Sequence, residues 1–371
     1  MKRVSLETPT SRRPTPTTAA PLTRGGRSTA PAALTGLPDR HGRIATDLRV
    51  SLTDHCNLRC TYCMPAEGLE WLPGETLLSD AEVGRLLSIA VTRLGVTDIR
   101  FTGGEPLLRK GLADIVAHAS TLRSPEGRRP GLSLTTNGLG LDRRLPDLIA
   151  AGLDRVNVSV DSLNPERFAA ITRRDRLADV LRSLDAVAAA GLRPVKVNAV
   201  PIARWYRDDA PALLRHCLER GFELRFIEQM PIGPPEEWDR STVVTAQMLR
   251  DALTDGGFTL ADGAQPRGSA PAELTAVSAD GLPDGHVGLI ASVTEPFCGS
   301  CTRTRLTADG SIRSCLFAAR ETDLRELLRS GADDEAVARR WQEAMWGKPR
   351  RHGFDHEGFA APGRTMSRIG G

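Results

Sequence analysis

Cys56-Asn57-Leu58-Arg59-Cys60-Thr61-Tyr62-Cys63 is the stretch on which the fold turns. Three thiols fall in it with C-x3-C-x2-C spacing, directly after the alternating run Leu48-Arg49-Val50-Ser51-Leu52-Thr53. Three sulfurs on one short loop can wrap an iron–sulfur cube, and they leave one iron without a protein ligand. A cluster used only for electron transfer would be closed by a fourth cysteine, whereas an open iron at the end of a strand is a place for a substrate or cofactor to coordinate. A structural zinc site is the competing reading, and it needs a fourth ligand. His55, directly before Cys56, is the nearest one and is close for a group that must reach round a shared metal.

Outward from this loop the chain keeps a regular beat. Strand-like runs occur at 48–53, 97–102, 131–136, 155–160, 194–200 and 223–228, with helical patterns between them. Ser79-Asp80-Ala81-Glu82 is a capping box that opens a helix running to about Leu94. Gly95, Gly152, Gly191 and Gly221 each stand just past a helical pattern and a few residues before the next strand, where a left-handed cap is wanted. Six tandem β/α units predict an α/β fold with a parallel sheet and right-handed crossovers, an open or partial (β/α)6 TIM-like barrel. Polar and glycine-rich motifs follow the strands: Gly103-Gly104-Glu105-Pro106, Thr135-Thr136-Asn137-Gly138, Ser159-Val160-Asp161-Ser162, Asn198 and Glu228-Gln229-Met230-Pro231. That places one site at the carboxyl ends of the strands.

The flanks differ from the middle. Residues 1–43, rich in Thr, Pro, Arg, Ala and Gly, are expected to be a disordered, solvated extension. They carry eight Lys/Arg against Glu7 and Asp39, an excess of +6 in a chain of net charge +3, so the remainder is at −3. A folded part without a broad basic balance argues against nucleic acid as partner. No run of 18 or more apolar residues exists, so no membrane span is expected, and the absence of an apolar signal core predicts a cytoplasmic protein.

The beat runs through residues 44–262 and then stops. Residues 262–285 look like loops around a short strand, and a helical run is expected at about 321–346, so 263–371 is expected to be a small C-terminal domain. Six of the seven cysteines form two triplets, with Cys298-x2-Cys301-x13-Cys315 as the second; Cys217 stands alone in a helical pattern and is expected to be a buried small hydrophobe. The competing reading of the second triplet is a Cys3His zinc ribbon with His286. Arg303 and Arg305 on a strand-like run would point to one face, which suits a polyphosphate or carboxylate.

Cys56-x3-Cys60-x-Tyr62-Cys63 followed by Gly103-Gly104-Glu105-Pro106 resembles the radical S-adenosylmethionine (SAM) superfamily. There the methionine amino and carboxylate groups chelate the open iron, and an electron from the cluster cleaves the sulfonium to a 5′-deoxyadenosyl radical. The glycines permit close backbone approach, and Glu105 offers an acceptor for an ammonium. With the second triplet and the Arg pair included, the chain from about Asp47 to Gly370-Gly371 resembles the GTP 3′,8-cyclases of molybdenum cofactor biosynthesis.

The resemblance implies two 4Fe–4S clusters and SAM as cofactors. Cys56, Cys60 and Cys63 would hold the SAM cluster, and Cys298, Cys301 and Cys315 the auxiliary one. Tyr62, Gly104, Ser159 and Met230 would line the SAM pocket, while Arg49, Arg100, Thr135, Lys196, Arg303 and Arg305 would contact GTP. The terminal Gly-Gly would reach into the active site. The implied product is (8S)-3′,8-cyclo-7,8-dihydroguanosine 5′-triphosphate. The implied partners are a flavodoxin- or ferredoxin-type electron donor and, downstream, cyclic pyranopterin monophosphate synthase, with a homodimer as an open option for the assembly. Arg49, Arg100 and Lys196 look misplaced on barrel strands unless a triphosphate pairs them, the plain alternative being carboxylates such as Asp161 or Glu228. Two other functions stay in view: a radical SAM enzyme that matures peptides or proteins and carries an auxiliary cluster, and a zinc-stabilised interaction module.

Overall fold

The computed structural model describes residues 34–263, 265–353 and 362–370. Six parallel strands form its centre: β1 Asp47–Ser51, β2 Asp98–Thr102, β3 Gly131–Thr136, β4 Arg155–Ser159, β5 Lys196–Ala199 and β6 Glu223–Ile227. Each has period-two character. Leu48, Val50, Ile99, Phe101, Leu132, Leu134, Val156, Val158, Val197, Leu224 and Phe226 are buried in one core with the helices. The alternate positions, among them Arg49, Arg100, Thr135 and Arg225, therefore face the inside of the curve.

Helices connect the strands: α1 Asp80–Thr92, α2 Leu112–Thr121, α3 Leu141–Ala150, α4 Pro165–Thr172, α5 Leu177–Ala189 and α6 Tyr206–Glu219. The expected capping box is formed, with the Ser79 hydroxyl accepting from Glu82 N and the Glu82 carboxylate from Ser79 N. Gly95, Gly152, Gly191 and Gly221 all take positive φ, between 66° and 99°, as the left-handed stops required. Cys217 is fully buried on α6.

The sheet does not close. The later strands β7 Thr259–Leu260, β8 Glu273–Ser278, β9 Gly285–Ile290, β10 Arg303–Leu306, β11 Ser311–Arg313 and β12 Thr322–Asp323 extend it at both edges, giving the order β12-β11-β10-β1-β2-β3-β4-β5-β6-β9-β8-β7. β10 runs parallel to β1 and β9 parallel to β6, so residues far along the chain flank the central six. This is the expected partial barrel, and the second triplet enters it through β10.

Two expectations need revising. The helical run at 321–346 is broken into β12, α8 Arg325–Arg329 and α9 Asp334–Trp346. Gly331 at φ 82° interrupts it, and Asp333 starts a new helix by accepting from Ala336 N. The expected solvated extension over 1–43 falls mostly outside the described residues, but 34–43 is structured. Leu37 is fully buried, Pro38 bridges Ile44, and Arg43 Nε donates to Asp39 at 2.5 Å. One ion pair and one buried leucine make no periodic pattern, so composition alone missed them. A further helix, α7 Ala246–Asp255, packs beside α6. No described helix is long and apolar enough to cross a membrane.

Candidate active site

The carboxyl ends of the central strands open into one cavity of about 330 Å³, and all six thiols of the two triplets line it. All seven cysteines are free thiols. Among the described residues no three His, Cys, Asp or Glu groups close round a single metal ion.

The first triplet sits in a loop fixed from several sides. Arg59 N and Thr61 N donate to Thr172 and Ile171 carbonyls, each at 2.9 Å, which docks the loop on the end of α4. Cys56 Sγ accepts from Leu58 N at 3.5 Å and from Asn137 Nδ2 at 3.8 Å. Burial pushes the Cys56 thiol up to about 11 and Cys63 up to about 12, and raises Cys60 well above its usual value.

The Gly103-Gly104 segment is a cradle that no side chain could enter. A Cβ on Gly103, at φ 153°, would lie 2.5 Å from Thr53 O, and one on Gly104 would lie 2.3 Å from His55 O. The backbone is thus held flat against the loop before Cys56, beside Tyr62, Ser159 and Met230 in the same cavity. Tyr62 Oη donates to Asp161 Oδ2 at 2.7 Å, and Asp161 Oδ1 accepts from Val200 N at 2.8 Å. Glu105 departs from expectation. It is buried and accepts from Thr136 Oγ1, Asn137 N and Leu107 N, so it braces the end of β3 and is not part of the cavity wall. Burial raises its carboxyl to about 7.

Deeper in, the register lines up like charges. Arg305, Arg49 and Arg100 are direct cross-strand partners on β10, β1 and β2. Neighbouring like charges on one face repel and need a counter-ion. Arg305 Nη1 reaches Gly370 O at 2.5 Å, but Arg49 Nε and Arg100 Nε are buried without a hydrogen-bond partner. Burial, then Arg305 and Arg100, lower Arg49 well below its usual value; burial also lowers Arg100. The carboxylates proposed as plain partners are used elsewhere. Asp161 holds Tyr62 and Val200, while Glu228 accepts from Ala246 N, Val293 N and Thr294. Even with Asp47 close by, a row of guanidiniums with two buried, orphaned Nε–H groups fits an anion with several oxygens.

The second triplet lies across the cavity in different company. Arg43 Nη1 donates to Cys298 O at 2.7 Å, and Lys348 Nζ lies 3.3 Å from Cys301 Sγ. Burial works against the Cys301 thiolate, yet Arg303 and Lys348 outweigh it and bring the group down to about 6. Arg303 also lies over the Phe297 ring at 4.9 Å. His286 is on β9, bonded to Gln265 at 2.9 Å, and is not part of this wall; the histidine beside the triplet is His352. The zinc ribbon with His286, the competing reading, therefore loses that ligand.

The C-terminal segment closes one side. Ser367 and Met366 of α10 Met366–Ile369 line the cavity, and the Ser367 backbone N–H donates to Cys63. A Cβ on Gly370 would lie 2.8 Å from Ser51 Cβ, so only glycine fits between the ends of β1 and β2. Gly371 lies outside the described residues.

Every expected site residue except Lys196 therefore lines this one cavity. Lys196 stands opposite Asn157 in register, is half-buried, and is lowered to about 8 by burial and then by Arg225. Arg225, paired with Glu223 at 2.5 Å, is in the wall and was missed. Its signal was present: a cation at a strand centre, like Arg49 and Arg100.

Comparison with known proteins agrees with this geometry. Residues 50–217 match the Radical SAM superfamily model, and 222–354 match Molybdenum Cofactor Synthesis C. The GTP 3′,8-cyclase of Corynebacterium glutamicum is 58% identical over 337 residues, covering 90% of this chain and 89% of that protein. The GTP 3′,8-cyclase of Mycolicibacterium smegmatis is 56% identical, covering 96% and 98%. Among solved structures, Streptococcus suis SuiB bound to its precursor peptide SuiA superposes with TM-score 0.55 at 12% identity, covering 86% of this chain and 68% of that one, a likeness of fold alone. The chain belongs to the GTP 3′,8-cyclase family of the radical SAM superfamily.

Proposed function

We propose that this chain is a GTP 3′,8-cyclase, a lyase that converts GTP to (8S)-3′,8-cyclo-7,8-dihydroguanosine 5′-triphosphate in the first step of molybdenum cofactor biosynthesis. The observation that carries this reading is the Arg305–Arg49–Arg100 row, with two buried Nε–H groups left without a partner, between two thiol triplets in one cavity. The triplets alone would serve many radical enzymes; the row asks for a polyanion.

SAM on the open iron of a first cluster would supply a radical able to take hydrogen from C3′ of GTP; closing C3′ onto C8 of guanine then calls for one electron from a reductant and one proton, which completes the 7,8-dihydro product. Cys56, Cys60 and Cys63 would hold that cluster, with Tyr62, Gly104, Ser159 and Met230 around SAM. Cys298, Cys301 and Cys315 would hold a second 4Fe–4S cluster beside the base. Arg49, Arg100, Lys196, Arg303 and Arg305 would fix the triphosphate, with Thr135 as a further GTP contact. Fixing both ends of the nucleotide holds C3′ and C8 at near-attack distance. Residues 44–262 thus act as the radical-generating half and 263–371 as the substrate-holding half. Met366 and Ser367 line one side of the cavity, which would help keep stray hydrogen donors from a carbon radical. A flavodoxin- or ferredoxin-type donor, cyclic pyranopterin monophosphate synthase as consumer of the product, and a cytoplasmic setting complete the proposal.

The test is anoxic purification followed by SAM, dithionite and GTP. The expected protein is brown, carries about eight irons per chain, and makes 5′-deoxyadenosine together with a cyclised nucleotide. Deoxyadenosine without nucleotide product would favour a peptide- or protein-maturing enzyme, and a colourless zinc protein would end the radical reading.

A further inference from the structure

Lys348 is a buried cation that the assigned chemistry does not use. It follows the end of α9, is only 3% exposed, and its three ammonium hydrogens have three acceptors in reach. Nζ donates to Arg303 O at 2.8 Å, to Cys301 O at 3.2 Å and to Cys301 Sγ at 3.3 Å. A buried ammonium is costly unless an anion meets it. Two of these partners are neutral carbonyls, so the sulfur is the partner that can carry the charge. An iron-bound thiolate would supply that charge permanently.

Arg43 offers a natural comparison. It also grips the second triplet, but through backbone alone: Nη1 donates to Cys298 O and Arg350 O, and Nη2 to Pro349 O. Arg43 and Lys348 thus brace the same loop, one at a carbonyl and the other also at a ligand sulfur.

We infer that Lys348 is a positioning residue of the second cluster: it locks Cys301 to Arg303, and its N–H···S bond sets that cluster's reduction potential. The inference rests on the two-cluster reading above. A positive donor on a ligand sulfur favours the more negative, reduced cluster and so raises the potential. The shared grip on the Arg303 carbonyl also fixes the spacing between cluster and triphosphate, so the base and the phosphates are held in one frame.

The experiment compares the full-length protein with Lys348→Met, Lys348→Gln and Arg43→Gln, all purified without oxygen. Iron per chain is counted, and the second cluster is followed by EPR through a redox titration. Lys348→Met is expected to keep about eight irons, to titrate at a more negative potential, and to raise KM for GTP several-fold. Lys348→Gln, which keeps a neutral N–H, should shift in the same direction by less. Arg43→Gln should leave the potential where it is. An unchanged potential in Lys348→Met overturns the inference, as does an equal shift in Arg43→Gln. If Lys348→Met binds only one cluster, Lys348→Gln decides by the same criterion. Wild-type protein with about four irons would overturn the two-cluster reading first, and this inference with it.

Discussion

The two cysteine triplets share a count and a cavity but differ in the charges that stand beside them. Around Cys56, Cys60 and Cys63 burial dominates, and the neighbouring Asp161 and Glu105 add negative charge, so the thiols are pushed up. At Cys301, Arg303 and Lys348 overcome burial and pull the thiol down, while at Cys298 burial prevails and raises it. A site that disfavours extra negative charge suits a cofactor bearing a sulfonium cation. A site rich in cations suits a triphosphate nucleotide. The difference teaches that three cysteines with one iron left open state only that something binds; the charge around them selects what.

The sharpest way to break this comparison is to remove one sulfur from each side. Cys60→Ala should abolish SAM cleavage, a loss of at least about a thousandfold, with or without GTP. Cys301→Ala should lose cyclised product to a similar degree yet still form 5′-deoxyadenosine. Chromatography of both products separates the two outcomes, and equal loss of deoxyadenosine in both variants would refute the division of labour.

A smaller effect tests the arginine row. Arg100→Met removes a guanidinium whose buried Nε has no partner and which stands beside Arg49 in register. The protein without GTP should gain about 1–3 kcal/mol of stability, the cost of an unsatisfied buried polar group. GTP binding should weaken by about 10- to 100-fold, the loss of one charge-assisted contact. Calorimetry and thermal melting check the two signs together; a variant that is destabilised while binding GTP normally would show that Arg100 belongs to packing and not to the ligand.

The smallest effect concerns the amino-terminal flank. Deleting residues 1–33 is expected to leave kcat and KM within about twofold, inside the range of surface changes. Deleting 1–43 also removes Leu37 and the Arg43 grip on Cys298, so retention of the second cluster's iron should fall. Iron content after desalting distinguishes the two truncations.

Much of this architecture was legible in local patterns. The six strands, the capping box and the glycine stops follow from period, cap chemistry and left-handed φ, all of which act within a few residues. Both triplets and the Gly103-Gly104 segment were equally plain, because ligand spacing and the need to lack a Cβ are properties of short stretches. Glu105 misled for a physical reason. Its position in the motif is local, but whether its oxygens face the cavity or cap the end of β3 depends on Thr136 and Asn137, contributed by another strand. Arg225 was overlooked, and Lys196 stands outside the cavity wall, because inward-facing and wall-forming are not the same thing on a curved sheet.

The amino-acid order by itself thus determined the β/α beat, the two sets of thiols and the presence of cations on strands, since these depend on neighbours in sequence. Only the tertiary structure decided that β10 pairs with β1, which sets Arg305 beside Arg49 and brings the second triplet to face the first. It also decided that Lys348 rests on Cys301 and that Gly370 seats against Ser51. Such pairings join residues tens to hundreds of positions apart, and the packing of a common core, which has no local signature, is what selects them.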